Sequence, residues 1–132
     1  MRILIVEDDF ISRKVMLSIL SKYAECDVAV DGKEAVKAYR ISVAEHKRYD
    51  LICLDIMMPE KDGYQVLKEV REFEISKGFD GLSGVKVIMT TALSEPKNIF
   101  KAFREQCEAY IVKPVDEERI LKTMKDLGLK FG

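Results

Sequence analysis

LICLDIMMP, residues 51–59, is the stretch that decides how this chain folds. Leu51–Leu54 is apolar at four successive positions, as expected of a parallel strand that is covered on both faces of its sheet. The run ends on Asp55, and a carboxylate at the end of a buried strand costs stability unless it is paired, bound to a metal or used chemically. The stretch therefore predicts a parallel sheet and a functional carboxylate at its edge.

Four more short apolar runs occur along the chain and alternate with segments of helical periodicity. The predicted strands cover residues 2–6, 26–30, 51–54, 85–89 and 109–112. The predicted apolar face of the first helix consists of Ile11, Val15, Ile19 and Tyr23, and similar spacing marks helices within 36–43, 67–70, 99–103 and 120–127. This alternation implies right-handed crossovers and a five-stranded parallel sheet with helices on both faces, a three-layer α/β domain.

Polar and turn-forming residues indicate where the helices begin. Asp31, Ser94 and Asp116 precede the second, fourth and fifth helical segments, where such residues accept hydrogen bonds from the first turn. Pro59 predicts a turn between Asp55 and the third helix, and Gly63 is expected to adopt an unusual φ there.

Size and composition restrict the class of protein. The 132 residues suit one compact domain over 1–132 with no output domain, and 48% hydrophobic with 34% charged residues is neither a disordered nor a membrane composition. A net charge of −1 gives no reason to expect a nucleic acid or a membrane surface as partner. The lack of a signal-peptide pattern and three widely spaced cysteines favour a cytoplasmic location.

Polar side chains follow four of the predicted strands. Glu7 and Asp8 follow the first strand, Asp55 the third, Thr91 the fourth and Lys113 the fifth. Ligands of open α/β sheets bind beyond the carboxyl ends of the strands, so these side chains are predicted to converge. Taken singly, the acids could belong to a solvated helix start, Thr91 could be a structural hydroxyl and Lys113 could be a surface lysine. Their combination at the ends of neighbouring strands is what indicates a site.

The convergent groups point to phosphoryl transfer. Three carboxylates held together repel one another unless a cation intervenes, and a few oxygen ligands with room for water and phosphate favour Mg²⁺. Lys113 adds positive charge and Thr91 a hydrogen-bond donor, so Asp55 is a candidate nucleophile that forms an acyl phosphate.

ILIVEDD, LICLDIMMPEKDG, VIMTTA and YIVKP, in this order, resemble the four motif blocks of the response regulator receiver domain, the CheY-like family of two-component signalling. The resemblance covers essentially the whole chain. It implies a flavodoxin-like doubly wound sheet with strand order 2-1-3-4-5. It also implies a cis peptide between Lys113 and Pro114.

The resemblance further implies a role for each matching residue. Asp55 would be the phosphoacceptor, Asp8 a direct Mg²⁺ ligand and Glu7 a ligand directly or through water, with the backbone carbonyl of Met57 completing the protein ligands. Two further residues, Thr91 and Lys113, would bind the phosphoryl group, and Tyr110 would be the switch aromatic that follows Thr91. Asp9 is not expected among the ligands.

The function expected from these roles is a stand-alone switch that is not an enzyme acting on other substrates. A histidine kinase or histidine phosphotransfer protein would donate the phosphoryl group, and the face of the fourth helix, fifth strand and last helix would change its binding to an effector or a second copy. A phosphorelay intermediate and a phosphorylation-independent binding module remain alternatives. A phosphohydrolase that uses an aspartyl phosphate would need a general acid two residues after Asp55, and that position is Met57, which has no proton to give. A flavin carrier is disfavoured because the acids after the first strand would repel a flavin phosphate.

Two segments, 40–50 and 74–84, are longer than a minimal receiver needs and are expected as surface features at the opposite end of the sheet. His46, in the first of them, is expected at the surface. Met57 and Leu93 flank the predicted phosphoryl site, and neither can orient an attacking water, so slow hydrolysis of the acyl phosphate is expected.

Overall fold

The computed structural model describes residues 1–79 and 83–131. The elements, in chain order, are β1 (Arg2–Val6), α1 (Phe10–Leu20), β2 (Glu25–Ala29), α2 (Gly32–Ala44), β3 (Leu51–Leu54), α3 (Gly63–Ser76), β4 (Lys86–Thr91), α4 (Pro96–Arg104), β5 (Ala109–Val112) and α5 (Glu117–Asp126). All neighbouring strands are parallel and their order is β2-β1-β3-β4-β5. The predicted fold class is confirmed, with β2 displaced by one residue and β4 extended to Thr91.

The core lies on both faces of the sheet, because alternate residues of a strand point to opposite sides. Leu51 and Cys53 of β3 pack in the layer that contains α1 and α5, whereas Ile52 and Leu54 pack in the layer with α2 and α3. All four residues are at most 1% exposed. This two-sided burial explains why the strand is apolar at successive positions.

The apolar face predicted for α1 is buried only in part, because Ile19 packs against the core whereas Ile11 and Val15 remain exposed. Ile11 and Val15 are 65% and 43% exposed, and the helix instead buries Met16 and Leu20 against the sheet. The helix is apolar over more than one stripe, so periodicity alone cannot identify the buried one; contact with the sheet selects it. The exposed stripe lies next to the carboxyl end of β5, where its residues and Pro114 line one groove.

The helix starts follow the sequence signals in most cases. Asp31 and Asp116 accept hydrogen bonds of 2.8 Å from backbone amides three residues later, and Asp62 accepts one of 2.9 Å at the start of α3. At α4, Pro96 stands in the first turn as predicted, but the preceding residue is Glu95 and its side chain makes no capping bond.

The end of the sheet opposite the carboxylates is built around Glu74, which is 3% exposed. Its carboxylate accepts hydrogen bonds from the Tyr39 hydroxyl at 2.5 Å and the Val85 amide at 2.7 Å, and it pairs with Arg71 at 2.8 Å. The segment 40–50 continues α2 to Ala44 and then turns, and the segment from residue 74 completes α3 at Ser76 and then turns. Residues 80–82 of the predicted loop lie outside the described residues.

Candidate functional site

The backbone of the neighbouring strands β1 and β3 places the first two carboxylates. Val6 is paired in register with Leu54, so Glu7 and Asp55 follow at equivalent positions of adjacent strands. The amide of Glu7 donates to the Ala29 carbonyl, and the amide of Asp55 donates to the Val6 carbonyl, both at 3.1 Å. The two residues are only 2% and 5% exposed, so two carboxylates are held side by side on rigid backbone.

Asp8 completes a cluster of three carboxylates. Glu7, Asp8 and Asp55 each offer an oxygen, and these oxygens lie within 4.8 Å of one another. Asp8 is exposed while the other two are buried, so the cluster opens to solvent on one side. Oxygen donors at this spacing, with open space for water, fit a hard divalent cation such as Mg²⁺. Met57, in the loop that follows, is 60% exposed, and the role of its carbonyl stays a prediction.

Lys113 reaches the cluster from β5. Its Nζ lies 2.9 Å from Oε2 of Glu7 and 3.4 Å from Oδ2 of Asp55. The Lys113 amide donates to the Thr91 carbonyl at 2.7 Å, which fixes the Lys113 backbone beside the end of β4. The peptide between Lys113 and Pro114 is cis, as the resemblance implies. The structure thus brings together Glu7, Asp8, Asp55 and Lys113, which the sequence predicted to meet.

The electrostatics of the site oppose the ionisation of one acid. Burial, aided by the charge of Asp55, raises the pKa of Glu7 to about 7, although the hydrogen bond from Lys113 acts in the other direction. Burial alone would lower the pKa of Lys113, but its hydrogen bond to Glu7 and the charge of Asp55 outweigh this, so the pKa is raised. A half-buried ammonium group therefore faces two buried acids, whose mutual repulsion it compensates only in part.

Thr91 and Tyr110 are connected through the segment that follows β4. Thr91 is fully buried, and its Oγ1 accepts a hydrogen bond of 3.3 Å from the Leu93 amide. The Leu93 carbonyl in turn accepts a hydrogen bond of 2.7 Å from the Tyr110 hydroxyl. Burial, together with nearby ionisable groups that include Asp55, raises the pKa of Tyr110 to about 12, so this hydroxyl keeps its proton.

Two contacts at the site were not predicted from the sequence. Asp9 caps α1, accepting a hydrogen bond of 2.8 Å from the Ser12 amide. The guanidinium of Arg13 donates to the Glu7 carbonyl at 3.0 Å and thereby anchors the backbone that carries the acidic pair. A basic residue in the second turn of the helix after the acids was the available signal, although nothing in its spacing specified a backbone partner.

The predicted φ of Gly63 is wrong. The non-glycine residue Glu60 takes the positive φ of this loop, at 66°, while Gly63 begins α3 without one. A glycine stands at position 63 because a Cβ there would lie 2.3 Å from the carbonyl oxygen of Asp55. The reason for the residue is close approach of two backbones, which no local sequence pattern reveals.

An apolar surface lies beside the mouth of the site. Phe10 is 57% exposed at the start of α1, and Ile11 and Val15 continue this surface along the helix. Ile11 and Val15 line a groove of about 420 Å³ together with Pro114 and Val115. Among the helices of residues 1–79 and 83–131, none has the length and apolar character needed to cross a membrane.

Comparisons with known proteins agree with this geometry. The family model for the response regulator receiver domain matches residues 3–125. The chemotaxis protein CheY of Treponema pallidum (strain Nichols) is 32% identical over 123 residues, which are 92% of this chain and 78% of that protein. The probable transcriptional regulator ycf29 of Porphyra purpurea is 30% identical over 94% of this chain, but the match spans 54% of that protein.

A solved structure that is similar to this fold is the crystal structure of the CheX-CheY-BeF3-Mg²⁺ complex from Borrelia burgdorferi. The match has a TM-score of 0.83 and 28% sequence identity, and it covers 98% of this chain and 90% of that one. The same fold and the same arrangement of sheet and helices therefore extend over nearly the whole of the described chain.

Proposed function

The chain belongs to the response regulator receiver domain family, and on that premise we propose that Asp55 accepts a phosphoryl group from a histidine kinase or a histidine phosphotransfer protein. The observation that carries the proposal is the position of Lys113 Nζ, 2.9 Å from Glu7 and 3.4 Å from Asp55. It places fixed positive charge where an added phosphoryl group would carry its negative charge.

The transfer uses Asp55 as nucleophile. Its carboxylate oxygen forms a P–O bond while the P–N bond of the donor phosphohistidine breaks, and the histidine nitrogen leaves with the electron pair. Glu7, Asp8, Asp55 and the Met57 carbonyl would hold Mg²⁺, which would supply positive charge to offset that of the phosphoryl oxygens. Lys113 pairs with one of these oxygens, and the Thr91 hydroxyl donates to another.

The output is a change in protein binding. Phosphorylation replaces one negative charge on Asp55 by about two near neutral pH. Thr91 turns its hydroxyl toward the new oxygens, and the bonds through Leu93 transmit this movement to Tyr110. The face formed by α4, β5 and α5 then alters its affinity for an effector or a second copy of the chain. Phe100 of α4, 69% exposed, supports this face as a contact surface.

The phosphoryl donor docks beside the site in this proposal. The groove along α1 and the segment after β5 is apolar and lies next to Lys113, so a helix of the donor laid across it would bring its histidine to Asp55. The relative crystallised with BeF3 and Mg²⁺ supports the same use of the acidic cluster. The location is cytoplasmic, without a nucleic acid or membrane partner, and the switch acts on no substrate besides its own carboxylate.

Phosphorylation by acetyl phosphate tests the proposal. Intact-mass measurement should find one added phosphoryl group in the presence of Mg²⁺, none in EDTA and none in Asp55→Asn. Failure of the wild-type chain to acquire the group from acetyl phosphate and from a phosphorylated histidine phosphotransfer protein would contradict it. Return of the group to an unphosphorylated phosphotransfer protein would identify a relay; retention, with selective capture of a partner, would identify a terminal switch.

A further inference from the structure

The loop after β3, residues 55–62, is the acceptor loop, because it begins with Asp55 and contains Met57. The structure holds it between the first residues of two helices, and each of these residues is a glycine. Gly63 begins α3 and Gly32 begins α2. Neither has a positive φ, so what these positions require is space and not a special backbone conformation.

At Gly63 the contact is between two backbones. A Cβ built there would lie 2.3 Å from the Asp55 carbonyl oxygen and 2.8 Å from Cα of Ile56, whereas ordinary contact begins at 3.4 Å. The backbones would have to separate by about 1 Å, since no side chain can rotate away. The amide of Gly63 also donates to the Ile56 carbonyl at 2.8 Å, which ties α3 to the residue after the acceptor carboxylate.

Gly32 contacts the far end of the acceptor loop. A Cβ built there would lie 2.7 Å from the Lys61 carbonyl oxygen and 2.7 Å from a methyl group of Val66 in α3. The N-terminus of α2 therefore rests on the loop and on α3 together. Any larger residue at position 32 would push the loop away from α2 or displace α3.

Together these contacts restrict the backbone conformation of the acceptor loop. The Ile56 carbonyl accepts from the Gly63 amide and from the Met58 amide, at 2.8 and 3.1 Å, so the chain on both sides of Met57 is fixed. The Met57 carbonyl can act as a Mg²⁺ ligand only if the loop backbone is fixed, because Mg²⁺ tolerates little variation in its ligand positions.

We propose that Gly63 and Gly32 are positioning residues for phosphoryl acceptance, a role that rests on the function proposed above. They let α3 and α2 approach the acceptor loop closely enough to set the Asp55 carboxylate and the Met57 carbonyl in one arrangement. The two glycines act through the loop and touch neither the cation nor the phosphoryl group.

Substitution by alanine, measured on the full chain, tests this role. Mg²⁺ affinity is measured by titration calorimetry, the melting temperature by circular dichroism and phosphoryl uptake by intact mass, for Gly63→Ala, Gly32→Ala and Gly84→Ala. Gly84 is the matched control, since a Cβ there would also clash, at 2.8 Å from a Glu74 carboxylate oxygen, but at the opposite end of the sheet.

The expected result is a loss of Mg²⁺ affinity of about tenfold or more in Gly63→Ala and Gly32→Ala, because displacements near 1 Å in a preorganised site have effects of this size. Gly84→Ala should lower the melting temperature and bind Mg²⁺ as the wild type does. Glycine variants that fold and bind Mg²⁺ within about twofold of wild type would overturn the role; if Gly63→Ala does not fold, Gly32→Ala decides by the same criterion. Absence of phosphoryl uptake by the wild type would instead contradict the proposed function itself.

Discussion

Glu7 is a buried carboxylate whose ionisation the metal-free fold opposes. Its side chain is 3% exposed and shares Lys113 with Asp55, so one ammonium faces two acids. A raised pKa means that the folded state binds the Glu7 proton more tightly than the unfolded chain does. The folded state therefore loses stability at Glu7 as pH rises from about 4.5 to about 7. Above that range the ionised Glu7 continues to destabilise the folded state.

Glu7→Gln should accordingly stabilise the metal-free protein at pH 8, on the order of 1–3 kcal/mol, and have little effect near pH 4.5. Lys113 keeps Asp55 as its partner in this variant, so no cation is left unpaired. Thermal unfolding in EDTA across this pH range measures the effect, with the exposed Glu118→Gln as control. Destabilisation by Glu7→Gln at pH 8 would show that the Glu7–Lys113 pair outweighs the burial of its charge.

We expect that Met57 and Leu93 leave an attacking water unoriented at the proposed acyl phosphate, so that it hydrolyses slowly. Met57 is 60% exposed and Leu93 is partly buried against the core, and these apolar residues follow Asp55 and Thr91 by two positions in the sequence. Asparagine at either position should speed the loss of the phosphoryl group roughly tenfold, since an amide can orient the attacking water. The decay of phosphorylated protein measures this rate, with Ile75→Asn, exposed at the far end, as control. Unchanged decay in both variants would contradict the expectation.

Single residues also differ in how far the sequence reveals them. The meeting of Glu7, Asp8, Asp55 and Lys113 was predictable, because each follows a strand and parallel strands end at one edge of the sheet. The reason for Gly63 was not, since it depends on the distance between α3 and the Asp55 carbonyl, a property of packing.

At the level of elements, α1 shows why the type of an element is easier to predict than its orientation. Its helical periodicity was correct, but its predicted apolar face is buried only in part, because Ile11 and Val15 form a second, exposed apolar stripe beside Met16 and Leu20. An exposed apolar stripe is informative in itself. In this helix it continues into the groove next to Lys113, where the proposed donor docks.

Ile11→Ser and Val15→Ser should therefore slow phosphoryl transfer from a protein donor and leave phosphorylation by acetyl phosphate unchanged. Loss of an apolar contact at the centre of an interface lowers kcat/KM by about tenfold, whereas the small donor does not use the groove. Ile75→Ser, at a residue that is 71% exposed on α3, is the matched control. Equal rates with the protein donor for all three variants would place the docking surface elsewhere.

At the level of the whole molecule, the sheet separates a reactive end from a structural end. Strands carry the acids, Thr91 and Lys113 to one edge, while Glu74, Tyr39 and Arg71 join α2, α3 and β4 near the other. The strand order was implied by the resemblance, and the structure confirms it. The network around Glu74 was not predicted, because Tyr39 and Val85 lie far from Glu74 in the sequence and a glutamate on a helix is ordinarily a surface residue.

Glu74→Ala should lower stability strongly, by about 3–5 kcal/mol, because it leaves the buried donors of Tyr39 and Val85 without their acceptor and removes one of the two carboxylates that pair with Arg71. The folded variant should still bind Mg²⁺ as the wild type does. Chemical denaturation and calorimetry measure the two effects, and Glu72→Ala, exposed on the same helix, is the control. A large loss of Mg²⁺ affinity in Glu74→Ala would show that the two ends of the sheet are coupled.

Asp55 is proposed as the residue that accepts the phosphoryl group, in a site completed by Lys113. The most direct measurement is reduction of the phosphorylated protein with borohydride, which converts an acyl phosphate to an alcohol, followed by peptide mass spectrometry. A reduced residue at Asp55 is expected in the wild type, with a large decrease of that signal in Lys113→Ala. A reduced residue at another carboxylate, or no reduction of a protein that does carry the phosphoryl group, would contradict the assignment of Asp55 as the acceptor.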